Sequence, residues 1–300
     1  MSDPAVASIQ SDGGGTTAGT SCVNCGAAQV GRFCAECGER QPSDDDYSIS
    51  SVTHELLHDF VHFDGKIWRT VVALLTSPGR LTREYFGGHR ARYTKPLSLF
   101  LVVNLAFFVL QPHTGLLQYH LSGYVDPTYD AGGKRAALAE ERRAELKLSS
   151  QEFAYQFENT IQEQKKSFLI VCVPIFAAAM FVLYFGRRHY VEHLVFSVHA
   201  YSYYLIFLGF LLVALVYLLI TGLHVVGLGG SPLTMFLQTE LAVDLALFLG
   251  MGGYLYIALR RVYGDGRLPA ALRAVALIAV LQALIVVYHN ALFYTTLRAI

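Results

Sequence analysis

Beyond residue 95 the chain alternates between long apolar runs and short polar breaks. The first run, "PLSLFLVVNLAFFVLQP", starts at Pro96 and is short unless it extends toward Leu117. The second, "SFLIVCVPIFAAAMFVLYF", covers residues 167–185 and contains Pro174, which predicts a kink. Three more follow at about 195–221, 234–259 and 270–297. A helix needs about 20 mostly apolar residues to cross a bilayer. The pattern therefore predicts an all-α integral membrane protein with about five transmembrane helices, in a lipid bilayer, over residues 96–300.

Ahead of these runs the period is that of a surface helix. At 100° per residue, Val52, Leu56, Leu57, Phe60, Val61 and Phe63 fill one half of a wheel. His54, His58 and His62, with Glu55 and Asp59, fill the other. The spacing predicts an amphipathic cytoplasmic helix over 52–63, capped by Ser50 or Ser51. A second helix is expected over about 66–76, stopped by Ser77-Pro78-Gly79, and a third over about 81–86, stopped by Gly87-Gly88. Residues 112–166 form a helical loop between the first two runs. Positions 135–147 there are helix formers, and Ser149 with Glu152 makes a capping box for a helix that continues into the second run. The resulting division is a disordered tail at 1–20, a metal ribbon at 21–41, a linker with juxtamembrane helices at 42–95, and the membrane domain.

Composition agrees. Of 300 residues, 53% are hydrophobic and 15% charged, against about 25% charged in soluble domains. Lys plus Arg equals Asp plus Glu at 23 each, so the charge balance points to no nucleic-acid partner. The first twenty residues lack the basic start and apolar stretch of a secretory signal. Charge placement then sets direction. Arg90, Arg92, Lys95, Arg187, Arg188, Arg260, Arg261, Arg267 and Arg273 fall on one side of the five runs and Arg298 on the other, among the short segments. Positive residues favour the cytoplasm, which predicts a cytoplasmic N-terminus, an extracytoplasmic C-terminus and an extracytoplasmic 112–166 loop.

Four of five cysteines form "CVNCGAAQVGRFCAECG", placing Cys22, Cys25, Cys34 and Cys37 in two C-x-x-C-G knuckles. Such knuckles set four thiolates around one tetrahedral Zn²⁺, and a full cysteine set leaves no position for water, so the zinc is expected to be structural. Gly26 and Gly38 are expected at positive φ. Phe33 is the one large apolar residue available to so small a hairpin, and metal binding must supply the folding energy.

Residues 54–58, "HELLH", have the form of a zinc-protease motif. His54, Glu55 and His58 share a helix face, but His62 lies about 12 Å further along the axis, too far to be a third ligand. Glu84 is the available substitute, with little chain from which to build a cleft. Proteolysis is the weaker reading.

The stretch "FDGKIWRTVVALLTSPGRLTREYFGGHRARYTKPLSLFLVVN" combines Asp-Gly-Lys, Ser-Pro-Gly, Gly-x-x-Arg, Tyr and Pro. In this, with the preceding ribbon, the chain resembles a bacterial membrane family of unknown function, domain of unknown function 3667, over roughly residues 20–110. The resemblance implies a zinc ribbon, this block and several membrane segments, in a bacterial inner membrane. It implies no mechanism.

Inside the runs, Asp244 is a candidate site residue because intramembrane carboxylates are rare. Counted from the outer ends of the fourth and fifth runs, Asp244 and His289 fall at similar depths, about 12–15 Å. They are expected near each other, with Glu240, Gln282 and, toward the inner side, His199. This set is read as a proton or solute path or as a hydrogen-bonded core. The favoured function is a non-enzymatic anchor or sensor that meets a cytoplasmic protein through its ribbon, with homo-oligomerisation possible. The alternatives are a transporter or lipid-handling protein using Asp244 and His289, and a membrane zinc metalloprotease using HELLH.

Overall fold

The computed structural model describes residues 20–29, 31–39, 66–114, 120–127, 130, 132–237 and 239–300. The expected tail before Thr20, the linker and the histidine-faced helix at 52–63 lie outside the described residues.

The N-terminal module is a hairpin of β1 (Thr20–Ser21) and β2 (Ala28–Gln29), antiparallel with Thr20 opposite Gln29. Among the described residues, eight longer helices follow: α1 (Lys66–Thr76), α2 (Arg80–Phe86), α3 (Pro96–Thr114), α4 (Lys134–Leu146), α5 (Ser150–Leu183), α6 (Tyr190–Val225), α7 (Glu240–Tyr263) and α8 (Arg267–Ala299). Short helical turns at Leu121–Tyr124 and Pro232–Leu237 join them. The first two helices match the expected stops. Ser77 and Pro78 end α1, and Gly87 ends α2.

Helices α6, α7 and α8 are each long and apolar enough to cross a membrane. Helix α5 adds a fourth if its two parts, Ser150–Lys165 and Ile170–Leu183, are one span bent by 52°. The expected first span is shorter, with its apolar helix at Pro96–Gln111. The count of candidate spans is thus three or four where five are expected. The bend also falls ahead of Pro174, whose carbonyl accepts a 2.9 Å bond from the Tyr190 hydroxyl. In the most apolar stretches of α6, α7 and α8 only 28%, 22% and 28% of residues are buried. So much outward apolar surface is foreign to a water-soluble monomer and fits helices facing lipid.

Inward faces pack α5 against α6 and α8, α3 against α6, and α7 against α8. Leu99, Phe100, Phe107, Phe157, Phe176, Phe196, Leu255, Leu277 and Phe293 form one continuous core through these contacts. Within α6, residues Phe207–Leu212 adopt a π-helical turn against α3 and α7. At the start of α5 the Ser149 side chain accepts from Glu152 N–H while the Glu152 carboxylate accepts from Ser149 N–H, closing the capping box.

Candidate metal centre and its seat on the helices

The two knuckles fold alike. Gly26 N–H donates to Cys22 O at 2.8 Å and Gly38 N–H to Cys34 O at 2.9 Å. Each glycine has positive φ, +76° and +71°, the conformation that a non-glycine residue resists. These turns bring all four sulfurs within 4.8 Å of one another. Cys22–Cys37 and Cys25–Cys34 sulfurs lie 3.6 Å apart, and no disulfide joins them. A tetrahedral thiolate site with metal–sulfur bonds of about 2.3 Å has sulfur–sulfur edges of about 3.8 Å. The donor set therefore fits one metal ion.

The ribbon buries polar side chains and cysteines and leaves its phenyl ring outside. Phe33, expected to be its apolar centre, is 62% exposed, whereas Gln29 and Glu39 are 4% and 2% exposed. Gln29 Nε2 donates to Arg32 O at 3.3 Å. A hairpin this short has no second layer to cover a phenyl ring, so the ring faces out.

Glu39 points away from the ribbon and onto the segment after α2. Its carboxylate accepts from Ala91 N–H at 2.7 Å. Beside it, His89 Nε2–H donates to the Val23 carbonyl at 2.7 Å while Nδ1 lies 2.9 Å from Glu84. The ring thus bridges the ribbon and α2. Glu84, weighed from sequence as a zinc-protease ligand, is therefore occupied in seating the ribbon, with Arg80 at 3.8 Å on its other side. His54, Glu55 and His58 lie outside the described residues.

The seat is itself bolted to the helices. Thr82 Oγ1 and His199 Nδ1 share a 2.9 Å hydrogen bond, with Thr82 1% and His199 2% exposed. The turn between α1 and α2 lies against α7. Arg261 donates to Pro78 O at 2.7 Å, and a Cβ on Gly79 would come within 2.9 Å of the Ala258 backbone.

Residues 64–108 match the family model described as a protein of unknown function (DUF3667). The matched segment is similar to that family. It contains the whole seat, from α1 to the middle of α3, while the four cysteines stand outside the matched residues. No curated protein and no solved structure matches the chain. The matched segment thus joins the cysteine cluster on one side to α6 and α7 on the other.

The intramembrane candidates are not gathered in this way. Helix α7 begins at Glu240, not near Thr234, because the turn at Pro232–Leu237 is separate and Thr239 caps α7 by accepting from Ala242 N–H. Asp244 therefore lies one turn into the helix, about 6 Å from its start, where a carboxylate favours the helix dipole. It is exposed, beside Tyr204 of α6. His289 is half-buried beside the rings of Tyr124 and Tyr288, and Gln282 is exposed. No hydrogen bond or ion pair joins Asp244 to His289 among the described residues. His199, by contrast, is hydrogen-bonded to Thr82 across the α2–α6 junction.

Several buried polar groups escaped sequence reasoning, Asp265 and Lys165 among them. Asp265, in the α7–α8 turn, is held by Arg273 at 2.5 Å, by Arg187 at 3.7 Å and by the Tyr184 hydroxyl. It is the single acid between Arg260–Arg261 and Arg267, which was the available signal. Lys165 is 2% exposed in α5, donates to Gln111 of α3 and lies 6.0 Å from the Phe108 ring. Its only sequence signal was a lysine pair directly before an apolar run.

Proposed function

We propose that the protein is a non-enzymatic membrane anchor or sensor whose zinc ribbon reports to, or recruits through, the cytoplasmic end of its helices. The observation that carries this is the unbroken chain of contacts from the cysteine cluster through Glu39–Ala91 and His89 to Thr82–His199 and Arg261–Pro78. A ribbon tethered only by a linker could leave without consequence. One whose fold holds Glu39 in place cannot lose its metal without loosening the seat.

Orientation follows from charge. Arg187, Arg188, Arg261 and Arg273 bond to the α7–α8 turn, the end of α7 and the Pro78 turn, at the end of the bundle that carries the ribbon. That end is therefore assigned to the cytoplasm of a bacterial inner membrane, where reduced thiols favour zinc over disulfides. On this reading α3 and α5 join α6–α8 as crossings, five in all, and the 112–166 loop and C-terminus are extracytoplasmic. The exposed Phe33 ring is the contact offered to a protein partner.

The test is elemental analysis of the full chain purified in mild detergent. The reading expects about one zinc ion per chain, lost in Cys34→Ser and retained in Phe33→Ala. A second zinc lost on His58→Ala, or no zinc in the wild type, would overturn it.

A further inference from the structure

Helix α1, with the sequence KIWRTVVALLT, is apolar on both sides. Its inner side buries Thr70, Ala73 and Leu74 toward α2 and α6. At 100° per residue, Val71, Leu75, Trp68 and Val72 follow one another around the outer side. Trp68 is 74% exposed and Val72 is exposed with it, while Val71 and Leu75 are half-buried. The hydroxyl on this side is turned inward. Thr76 Oγ1 donates to Val72 O at 2.7 Å, one turn back on its own helix, and a hydroxyl bonded in this way asks little of water. A helix apolar all round needs an apolar neighbour beyond the one it packs on.

The place of α1 says which neighbour. Pro78 and Gly79, directly after it, lie on the last turns of α7, where Arg261 donates to Pro78 O and the Ala258 backbone faces Gly79. Helix α7 is a candidate span, and its last turn carries Arg260 and Arg261. A basic pair at the end of an apolar span marks the level where hydrocarbon gives way to headgroups. Ile257, next to Ala258, is exposed there, so α7 also turns apolar surface outward at this level. Tryptophan, a large apolar ring with one N–H donor, is enriched in that layer.

We propose that the Trp68–Val72 face of α1 is a membrane-contact surface, half sunk in the layer between lipid headgroups and acyl chains, with the Trp68 ring as its anchor. Arg69, exposed at the rim of this face, lays its stem along the apolar side and carries its charge toward the headgroups. The contact is joined to the ribbon's seat. On the inner side of α1, Thr70 Oγ1 accepts from Thr94 N–H at 3.0 Å, and Thr94 lies three residues beyond Ala91, which donates to Glu39. Helix α1 thus links the bilayer surface to the segment on which the ribbon rests. Such contact presupposes the membrane-anchor reading proposed above, though neither its zinc nor its orientation.

Trp68 is the only tryptophan of the chain, so its fluorescence reports this face alone in the unaltered protein. The full chain is placed in phosphatidylcholine vesicles and its emission is quenched in three ways. Bromine is carried near the ester end of the acyl chains, or near the methyl end, or iodide is present in the water on both sides. Ester-end bromine is expected to remove most of the emission, methyl-end bromine less, and iodide little. Strong iodide quenching without a bromine effect would put Trp68 in water. Quenching by neither would put it under protein, residues 52–63 or a second copy. Either result would overturn the inference, as would methyl-end bromine acting more strongly than ester-end bromine. Phe33→Trp in a Trp68→Phe chain moves the reporter to the exposed ribbon position and is expected to reverse the pattern, with iodide acting above bromine. Bromine quenching at residue 33 equal to that at residue 68 would also overturn it, since the contact would then not belong to α1. Flotation separates this failure from that of the anchor reading. A chain that floats with the vesicles yet keeps its emission sinks the α1 contact alone, and one that stays behind sinks both.

Discussion

Thr82 and His199 show what a single polar pair does where water is absent. Each is buried, and each satisfies the other across the α2–α6 contact. Thr82→Val keeps the shape and removes the partner, leaving a buried imidazole nitrogen unbonded at a cost of about 1–3 kcal/mol. A fall in the thermal midpoint of the detergent-solubilised chain, larger than for the exposed control Thr76→Val, checks this. Gly79 makes a second residue-scale point. Its φ of +76° and its contact with the Ala258 backbone both exclude a side chain. Gly79→Ala is expected to destabilise by about 1–3 kcal/mol, read as increased protease cleavage near residue 79. Both positions lie in the matched segment, and neither looked chemical in sequence. Thr82 sits in a short polar helix and Gly79 in an ordinary turn motif, and their importance appears only when α6 and α7 arrive from more than a hundred residues away.

At the scale of elements, local rules read the chain well wherever one rule governed. The stops at Ser77-Pro78-Gly79 and Gly87-Gly88, the two positive-φ knuckle glycines and the Ser149–Glu152 box all follow from short-range chemistry, and all are present. Hydropathy was a poorer guide to where a helix begins. It joined Pro232–Leu237 to α7, since both are apolar, and so placed Asp244 too deep. The break is set by the cap at Thr239, a signal hidden among apolar neighbours. The segment before α5 carries its own test. Asp130 accepts from Ala136 N–H at 3.0 Å and Arg135 N–H at 2.9 Å, and these bonds, with the Arg135 charge, lower its pKa below the usual carboxylate value. A lowered folded pKa means the stabilisation is present above the unfolded value, about 3.9, and is lost as pH falls through the folded one. Exchange protection of α4 amides is therefore expected to hold at neutral pH and fall in that acid range. Asp130→Asn should have less protection at pH 7 and a flatter profile.

Across the whole molecule a chain of contacts runs from the cysteine cluster to the apolar helices. The cysteine cluster was fully legible in sequence, because C-x-x-C spacing specifies a ligand set with no help from tertiary structure. Its seat was not legible, since Glu39, Ala91, His89 and Val23 meet only when the ribbon folds back on the segment after α2. Arg187 and Arg273 gather on Asp265 in the α7–α8 turn, Arg188 on Val262 O and Arg261 on Pro78 O. The most direct measurement is amide hydrogen exchange at Ala91 in the full, metal-loaded chain compared with Cys34→Ser. The account predicts that Ala91 and its neighbours in 87–95 exchange faster in the variant while the cores of α7 and α8 keep their protection. Equal exchange at Ala91 in the two proteins would contradict it.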